Sequence, residues 1–518
     1  MNVRRGPDRM TVVILLVAAG VAAACVAIVV LSDRANKRPS NPTIVNPPQW
    51  AKEKPAEEKR AELRYTVPEK IAVLGPPIPQ DEARQAARRR RVRERYERQI
   101  LNAYESAGRR DPRWDAAART ALRGLVEALC GRSTTIYVHH ERTALDSARK
   151  AVAAGCTDPF IRYLTLRFVF DYEQAIEQRN GDPQVTGVYQ ALLPDMRASR
   201  YPPAVKAHVF VNAATALTYG PQSGTRAEVK GLLDECLEQT AALLDEKSDL
   251  AREEAFELCV QVANVGRWLA DDRRVWYEQA AAALGDRPGA DLVRHLLTGE
   301  RSIHSAWDAR GSGVAATVTE EGWRLFGEWL QEAEQAFEAA WAADQNCVTA
   351  PLKMLTVCKG LSHDRDTMER WFRRAMEIDG DSLEACDYKL DYLLPKWHGG
   401  VEEAVSFARQ CRDTGNWHGS LPLALSHAHR WLASDSGSKQ EYFAQPAVRA
   451  DVESVYRPLL KRFPDAQCAR TNFFLLAVEG HWADIAREHL PAMIDDPWKP
   501  AFRNGPDHGA CIHWAETH

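Results

Sequence analysis

No charge of one sign dominates this 518-residue chain: 67 Lys and Arg stand against 71 Asp and Glu, a formal net charge of −4. A dedicated nucleic-acid binder carries a basic excess to neutralise phosphates, so that class is not expected. The short motifs that carry chemistry are also missing. There is no GxSxG elbow to expose a nucleophile and no P-loop or GxGxxG to cradle phosphates. There is no HExxH and no CxxC pair, which removes the common zinc and dithiol patterns. Strand-like alternation is scarce after residue 100. What remains is an ordinary folded composition, 45% apolar and 27% charged, long enough for two to four domains or one repeat array.

One long apolar run is present. Met10 to Ser32 is 23 residues without a charge, bounded by Arg9 and Asp33. At about 1.5 Å per residue, such a helix spans the roughly 30 Å hydrocarbon core. The run continues past Ala22-Ala23-Ala24 and Cys25, so an uncleaved transmembrane helix over 10–32 is favoured over a cleaved or lipidated leader. Residues 1–9 form a short basic tail. Arg4, Arg5 and Arg9 before the span nearly balance Arg34, Lys37 and Arg38 after it, and a short basic tail favours export of the remainder. Ten cysteines at irregular spacing lie in that remainder and argue for a reducing compartment instead. The soluble part is therefore expected to be extracytoplasmic rather than cytoplasmic, on charge grounds alone.

Residues 33–81 read as a linker. Nine of the 28 prolines fall between Pro39 and Pro79, interleaved with Lys and Glu, with no apolar period to build a core. Glu82 to Arg98 then carries eight Arg against three Glu. Val92, Tyr96, Ile100 and Tyr104 recur every fourth residue, which predicts a helix with an arginine-rich outer face. That face is either a solvated first helix or a contact for anionic lipid or an acidic partner.

From there the pattern is helical almost throughout, with a division into an N-terminal region, 82–300, and a C-terminal region, 301–518. Phe337, Phe372 and Phe407 lie 35 residues apart, and Ala340/Ala375, Asp344/Asp379, Ala350/Ala385 and Leu355/Leu390 share that interval. Large and small apolar residues at fixed offsets suit stacked helix pairs, because one pair cannot bury its apolar faces alone. The expected fold is all-α: an α-solenoid of tetratricopeptide-like hairpins. Thr317 and Glu320 fit a capping box opening a helix that carries Trp323.

The string Ala306-Trp307-Asp308-Ala309-Arg310-Gly311-Ser312-Gly313, followed by Thr317-Val318-Thr319-Glu320-Glu321-Gly322-Trp323, is the most distinctive in the chain. With Leu394-Pro395-Lys396-Trp397-His398-Gly399-Gly400 and Phe407-Ala408-Arg409-Gln410-Cys411, it resembles an uncharacterised bacterial family, a domain of unknown function with tetratricopeptide-like helices. The resemblance covers Arg301 to Cys411, and more weakly Tyr163 to Leu217. It implies a helical repeat domain and no particular activity.

Candidate binding residues are Trp307, Asp308, Arg310, Trp323 and Trp397. Arg310 beside two glycines can hold an anion, or pair locally while the glycines supply positive φ. Trp397 is either a wedge between repeats or a ligand-facing ring. No catalytic residue, metal or cofactor is expected; His139-His140-Glu141 point apart on a helix, and the tail from Asp507 to Trp514 offers only scattered soft ligands. Two functions follow. One is a membrane-anchored scaffold binding a protein or peptide partner on a helical surface, alone or as a module of a larger complex. The other is a hydrolase-type enzyme with a pocket at the 304–323 junction, using His304, Asp308 and Arg310.

Overall fold

A computed structural model describes residues 64–518 except 132–133, 168–182, 220–223, 270–271, 314 and 503–506. The expected basic tail, transmembrane helix and first part of the linker lie outside the described residues. Among the described residues no helix is long and apolar enough to cross a membrane.

All regular structure in the described residues is helical. The first half holds α1 (Glu82–Tyr96), α2 (Ala103–Ala107), α3 (Asp115–Cys130), α4 (Thr134–Ala153), α5 (Pro159–Arg167) and α6 (Pro183–Ala198). It continues through α7 (Pro203–Tyr219), α8 (Arg226–Leu243), α9 (Asp249–Gly266), α10 (Arg274–Ala283) and α11 (Ala290–Arg310). The second half begins with α12 (Glu320–Ala343), α13 (Thr349–Leu361), α14 (Arg365–Ile378), α15 (Leu383–Leu393), α16 (Val401–Asp413) and α17 (Leu423–Asp435). It ends with α18 (Lys439–Phe443), α19 (Pro446–Arg462), α20 (Gln467–Glu479), α21 (Ala483–Asp495) and α22 (His508–Thr517). Most successive helices pack on one another, and α11 against α12 is the most extensive pairing. The division expected at 300/301 therefore falls inside α11, within one continuous core.

The 35-residue period is visible in register. Helices α12, α14 and α16 end at Ala343, Ile378 and Asp413, and Phe337, Phe372 and Phe407 are all buried. Phe372 and Phe407 meet edge to face at 5.6 Å, while Ala340, Ala375, Ala350 and Ala385 leave room for close helix approach. Local caps set the helix starts: Asp364 accepts from Thr367 N at 2.8 Å, and Ser382 accepts from Ala385 N at 3.1 Å. The cap of α12 is Thr319, accepting from Gly322 N at 3.0 Å, two residues later than the expected Thr317, which sits in a short 3-10 turn.

The array does not leave its two ends apart. Helix α4 packs on α20, Tyr137 meets Phe463 edge to face at 5.9 Å, and Arg142 pairs with Asp496. The succession of helix contacts thus closes into a circuit. The N-terminal segment runs across it.

That segment corrects two expectations. The linker was expected to stay solvated to residue 81, but from Arg64 onward the chain lies along the second half as an extended strap. Val67 and Ile78 are buried, and Gln445 holds the strap's main chain twice: its Oε1 accepts from Val67 N and its Nε2 donates to Tyr65 O, both at 2.9 Å. Pro and Lys/Glu composition hid the alternate apolar residues that make this docking favourable. The arginine-rich helix was expected to face outward, yet Arg88 and Arg95 on α1 are buried. Arg88 reaches Glu253 at 2.9 Å, Asp379 at 3.3 Å and Asp249 at 3.7 Å. Arg95 bonds Glu254 at 2.6 Å and Glu246 at 3.1 Å, and Arg89 forks onto Asp381 at 3.0 and 3.1 Å. A guanidinium stays charged and spreads its donors over several carboxylates, so arginine suits this interior where lysine would not.

Removing one member of a buried ion cluster strands the others. Arg88→Ala leaves Asp249, Glu253 and Asp379 without their shared cation and is expected to cost about 3–5 kcal/mol. Urea unfolding followed by circular dichroism measures it; a loss below about 1 kcal/mol would show that water already neutralises these acids.

Candidate functional site

Four of the five candidate binding residues, Trp307, Arg310, Trp323 and Trp397, lie together. Trp307, from the end of α11, meets Phe326 of α12 at 5.1 Å and Trp397 at 5.9 Å, both edge to face. Trp323 meets the same Phe326 at 5.8 Å. Lys359 of α13 places its ammonium 5.2 Å from the Trp307 ring and 4.8 Å from the Trp397 ring. Arg310 lies 5.6 Å from Trp307 and 5.5 Å from Trp323. Its guanidinium donates to Gly311 O at 3.0 Å and Gly313 O at 3.1 Å, closing its own loop, and Gly311 has a φ of 72°. The arrangement is a cation–aromatic block joining α11, α12, α13 and the turn after α15, in which Arg310 serves its own loop and Trp397 acts as a wedge. Asp308 is exposed and takes no part in the stack.

His304 belongs to a separate buried group. Its Nδ1 shares a hydrogen bond with Tyr277 Oη at 2.8 Å, and its Nε2 lies 3.7 Å from Glu300, which pairs with Lys353 at 3.2 Å. Burial holds the imidazole well below its ordinary pKa, with Arg273, Lys353 and Arg267 acting the same way. It is thus a neutral ring engaged with a phenol, with Asp308 not among its hydrogen-bond partners. Among the described residues no group of three His, Cys, Asp or Glu is placed to hold a metal ion.

The opening in the surface lies beyond the block. His398, next to Trp397, packs its ring 4.6 Å from Tyr392 and donates from Nε2 to Lys359 O at 2.8 Å. On its far side is a cleft of about 910 Å³ between α14, α15 and α16, roofed by Leu74, Gly75 and Pro76 of the strap. Helical spacing builds its walls: Asp366, Arg370 and Arg373 recur along one face of α14, Lys389 and Leu393 along α15, and Glu403 and Phe407 along α16. Lys389 is 2% exposed; it donates to Glu369 at 2.7 Å and sits 4.4 Å from the Phe372 and Phe407 rings. Burial draws its pKa down, and Glu369 acts against that. Gly75 turns the strap over this pair with a φ of 85°, a conformation that side-chain-bearing residues avoid.

The cleft residues other than Phe407 and His398 were not singled out from the sequence. The signal available was the run Arg370-Trp371-Phe372-Arg373-Arg374, whose apolar members face the core and whose arginines do not. Searches against protein-family models and curated proteins give no match for the chain.

One acid near the His304 group supplies a pH test. Burial pushes Glu384 up to about 7 from the usual 4.5, with Lys353 and Tyr388 opposing and Glu300 and Asp387 assisting. Its folded-state pKa thus lies above the unfolded one, so its contribution to stability is full below about 4.5 and is lost as pH rises through 7. Glu384→Gln is therefore expected to melt several degrees above the parent at about pH 8 and level with it at about pH 4.5. Equal melting temperatures at both pH values, read by calorimetry, would place a charged, solvated carboxylate there.

Proposed function

We propose that this protein is a tetratricopeptide-like interaction scaffold, held to a membrane by residues 10–32 and binding an extended segment of a partner protein. One observation carries the reading: the second half already grips a peptide, its own residues 65–80, largely by the main chain. Ser406 Oγ accepts from Leu74 N at 2.9 Å and donates to Ala72 O at 3.0 Å, and Gln410 Nε2 donates to Leu74 O at 2.9 Å. Arg409, itself fixed by Asp451 at 2.8 Å, donates to Pro68 O and Glu69 O, both at 3.3 Å. Gln80 donates to Gly380 O at 3.2 Å. Side chains that satisfy main-chain groups recognise an extended backbone whatever its sequence, while separate pockets for alternate side chains add selectivity. Against the Arg-lipid alternative for α1, Arg88, Arg89 and Arg95 are spent on internal carboxylates, while Arg84, Arg90 and Arg98 stay exposed.

The test uses a photo-reactive amino acid in the full chain, in its own cells. At Val73, 75% exposed on the strap beside the cleft, a discrete cross-linked protein is expected; at Val152, exposed but remote, none is expected. Absence of an adduct at Val73, or equal adducts at both positions, would reject the scaffold. Alkaline carbonate should leave the full chain with the membranes and release a chain beginning at Arg64; release of both would reject the anchor.

A further inference from the structure

We infer that the cleft between α14, α15 and α16 binds an acidic, aliphatic-bearing stretch of an extended peptide from a partner protein, which rests on the scaffold reading above. Charge accounting gives the first argument. Arg365 pairs with Glu403 at 2.6 Å and Lys389 with Glu369 at 2.7 Å, so these four cancel. Arg370 and Arg373 remain, exposed, with Asp366 as the other charged residue of that wall. Among the described residues neither arginine forms an ion pair; Arg370 donates only to Thr367 Oγ1, at 3.2 Å. Their neighbour Arg374 is differently engaged, stacked 4.3 Å from the Trp371 ring and 5.0 Å from Trp341. Two guanidiniums at the mouth of a walled cleft attract carboxylates more strongly than they would on open surface.

The second argument is apolar. Leu74 of the roof stands 40% exposed and its strap neighbour Val73 75% exposed, among the few large apolar side chains so exposed in the described residues, while Leu393 and Phe407 behind them are buried. An aliphatic side chain entering beside Leu74 would cover its exposed face. The third argument is shape. A volume of about 910 Å³ is ample for several residues of extended chain, and the adjacent strap shows that this face accommodates a backbone in that conformation. Acid to the arginines and aliphatic to Leu74, in alternation, is the pattern an extended peptide presents on its two sides.

The test is fluorescence anisotropy with the full-length protein in detergent and a fluorescein-labelled peptide alternating leucine with glutamate. A leucine–lysine peptide of equal length is the comparison. The acidic peptide is expected to bind at least tenfold tighter. The double variant Arg370→Glu/Arg373→Glu, both positions exposed, should reverse the preference without changing the melting curve, and Arg123→Glu on α3 should leave it intact. Equal or absent binding of the two peptides, or binding indifferent to the double variant, would overturn the inference. So would displacement of the acidic peptide by millimolar inorganic phosphate at constant ionic strength, which would reassign the cleft to a phosphate-sized anion. If the peptide fails while the Val73 adduct forms, the scaffold stands and the acidic partner falls; loss of both removes both.

Discussion

A single guanidinium ties the halves of this molecule together. Arg88 stands on the helix that crosses the circuit, with Asp249 and Glu253 of α9 on one side and Asp379 at the end of α14 on the other. Two buried aspartates and a largely covered glutamate, from two distant parts of the chain, cannot lie together without a cation, and a cation there is too costly to bury without them. The cluster therefore makes the position of α1 a condition for both halves. Its neighbours repeat the logic, Arg89 on Asp381 and Arg95 on Glu246 and Glu254. Burial opposes the charge on Glu254, yet Arg95 and His208 hold its pKa down to about 2. Part of what looks like balanced surface charge in the composition is thus internal, with Arg88, Arg89 and Arg95 matched to acids far along the chain.

The repeat register adds a detail to this pairing. Asp344 and Asp379 stand 35 residues apart, each just past the end of a helix, and each holds an arginine: Arg252 for the first, Arg88 for the second. At the next equivalent position, Thr414, the acid is gone, and the strap passes over that repeat instead. A Cβ at Gly380, next to the second aspartate, would stand 2.0 Å from Gln85 Nε2, so the Gln85 amide would have to move. The same turn geometry has been turned to two uses, ion pairing in the earlier repeats and a seat for an extended segment in the later one.

Much of the architecture was legible from the residues. Helical spacing and the Phe and Ala intervals identify stacked hairpins, because burial of one face per helix writes a period into the chain. Contacts between distant segments leave no such period. The helix Glu82–Tyr96 has an apolar stripe with arginines around it, and only the positions of acids more than 150 residues away decide that Arg88 and Arg95 turn inward. The strap is similar: Val67 and Ile78 are single apolar residues in a proline-rich stretch, and the side chains that hold its main chain, such as Ser406 and Gln445, lie over 300 residues later. Trp307, Arg310, Trp323 and Trp397, four of the candidate binding residues, share one packed block, and the cleft opens beyond His398; no sequence period links the two distinctive strings that supply them.

The strap also settles how the folded body is loaded from its amino end. Tension entering at Arg64 runs first along the Arg64–Glu441 pair at 2.6 Å and the two Gln445 amide bonds, then along Ser406, Arg409 and Gln410. These bonds lie across the strap and are strained side by side, as in a shear joint. Only after they yield does the pull reach Gly75, the roof of the cleft, and then α1 with its carboxylates. A force on the amino end would open the roof before it disturbed the circuit, so the cleft is the part of the body mechanically nearest to that end.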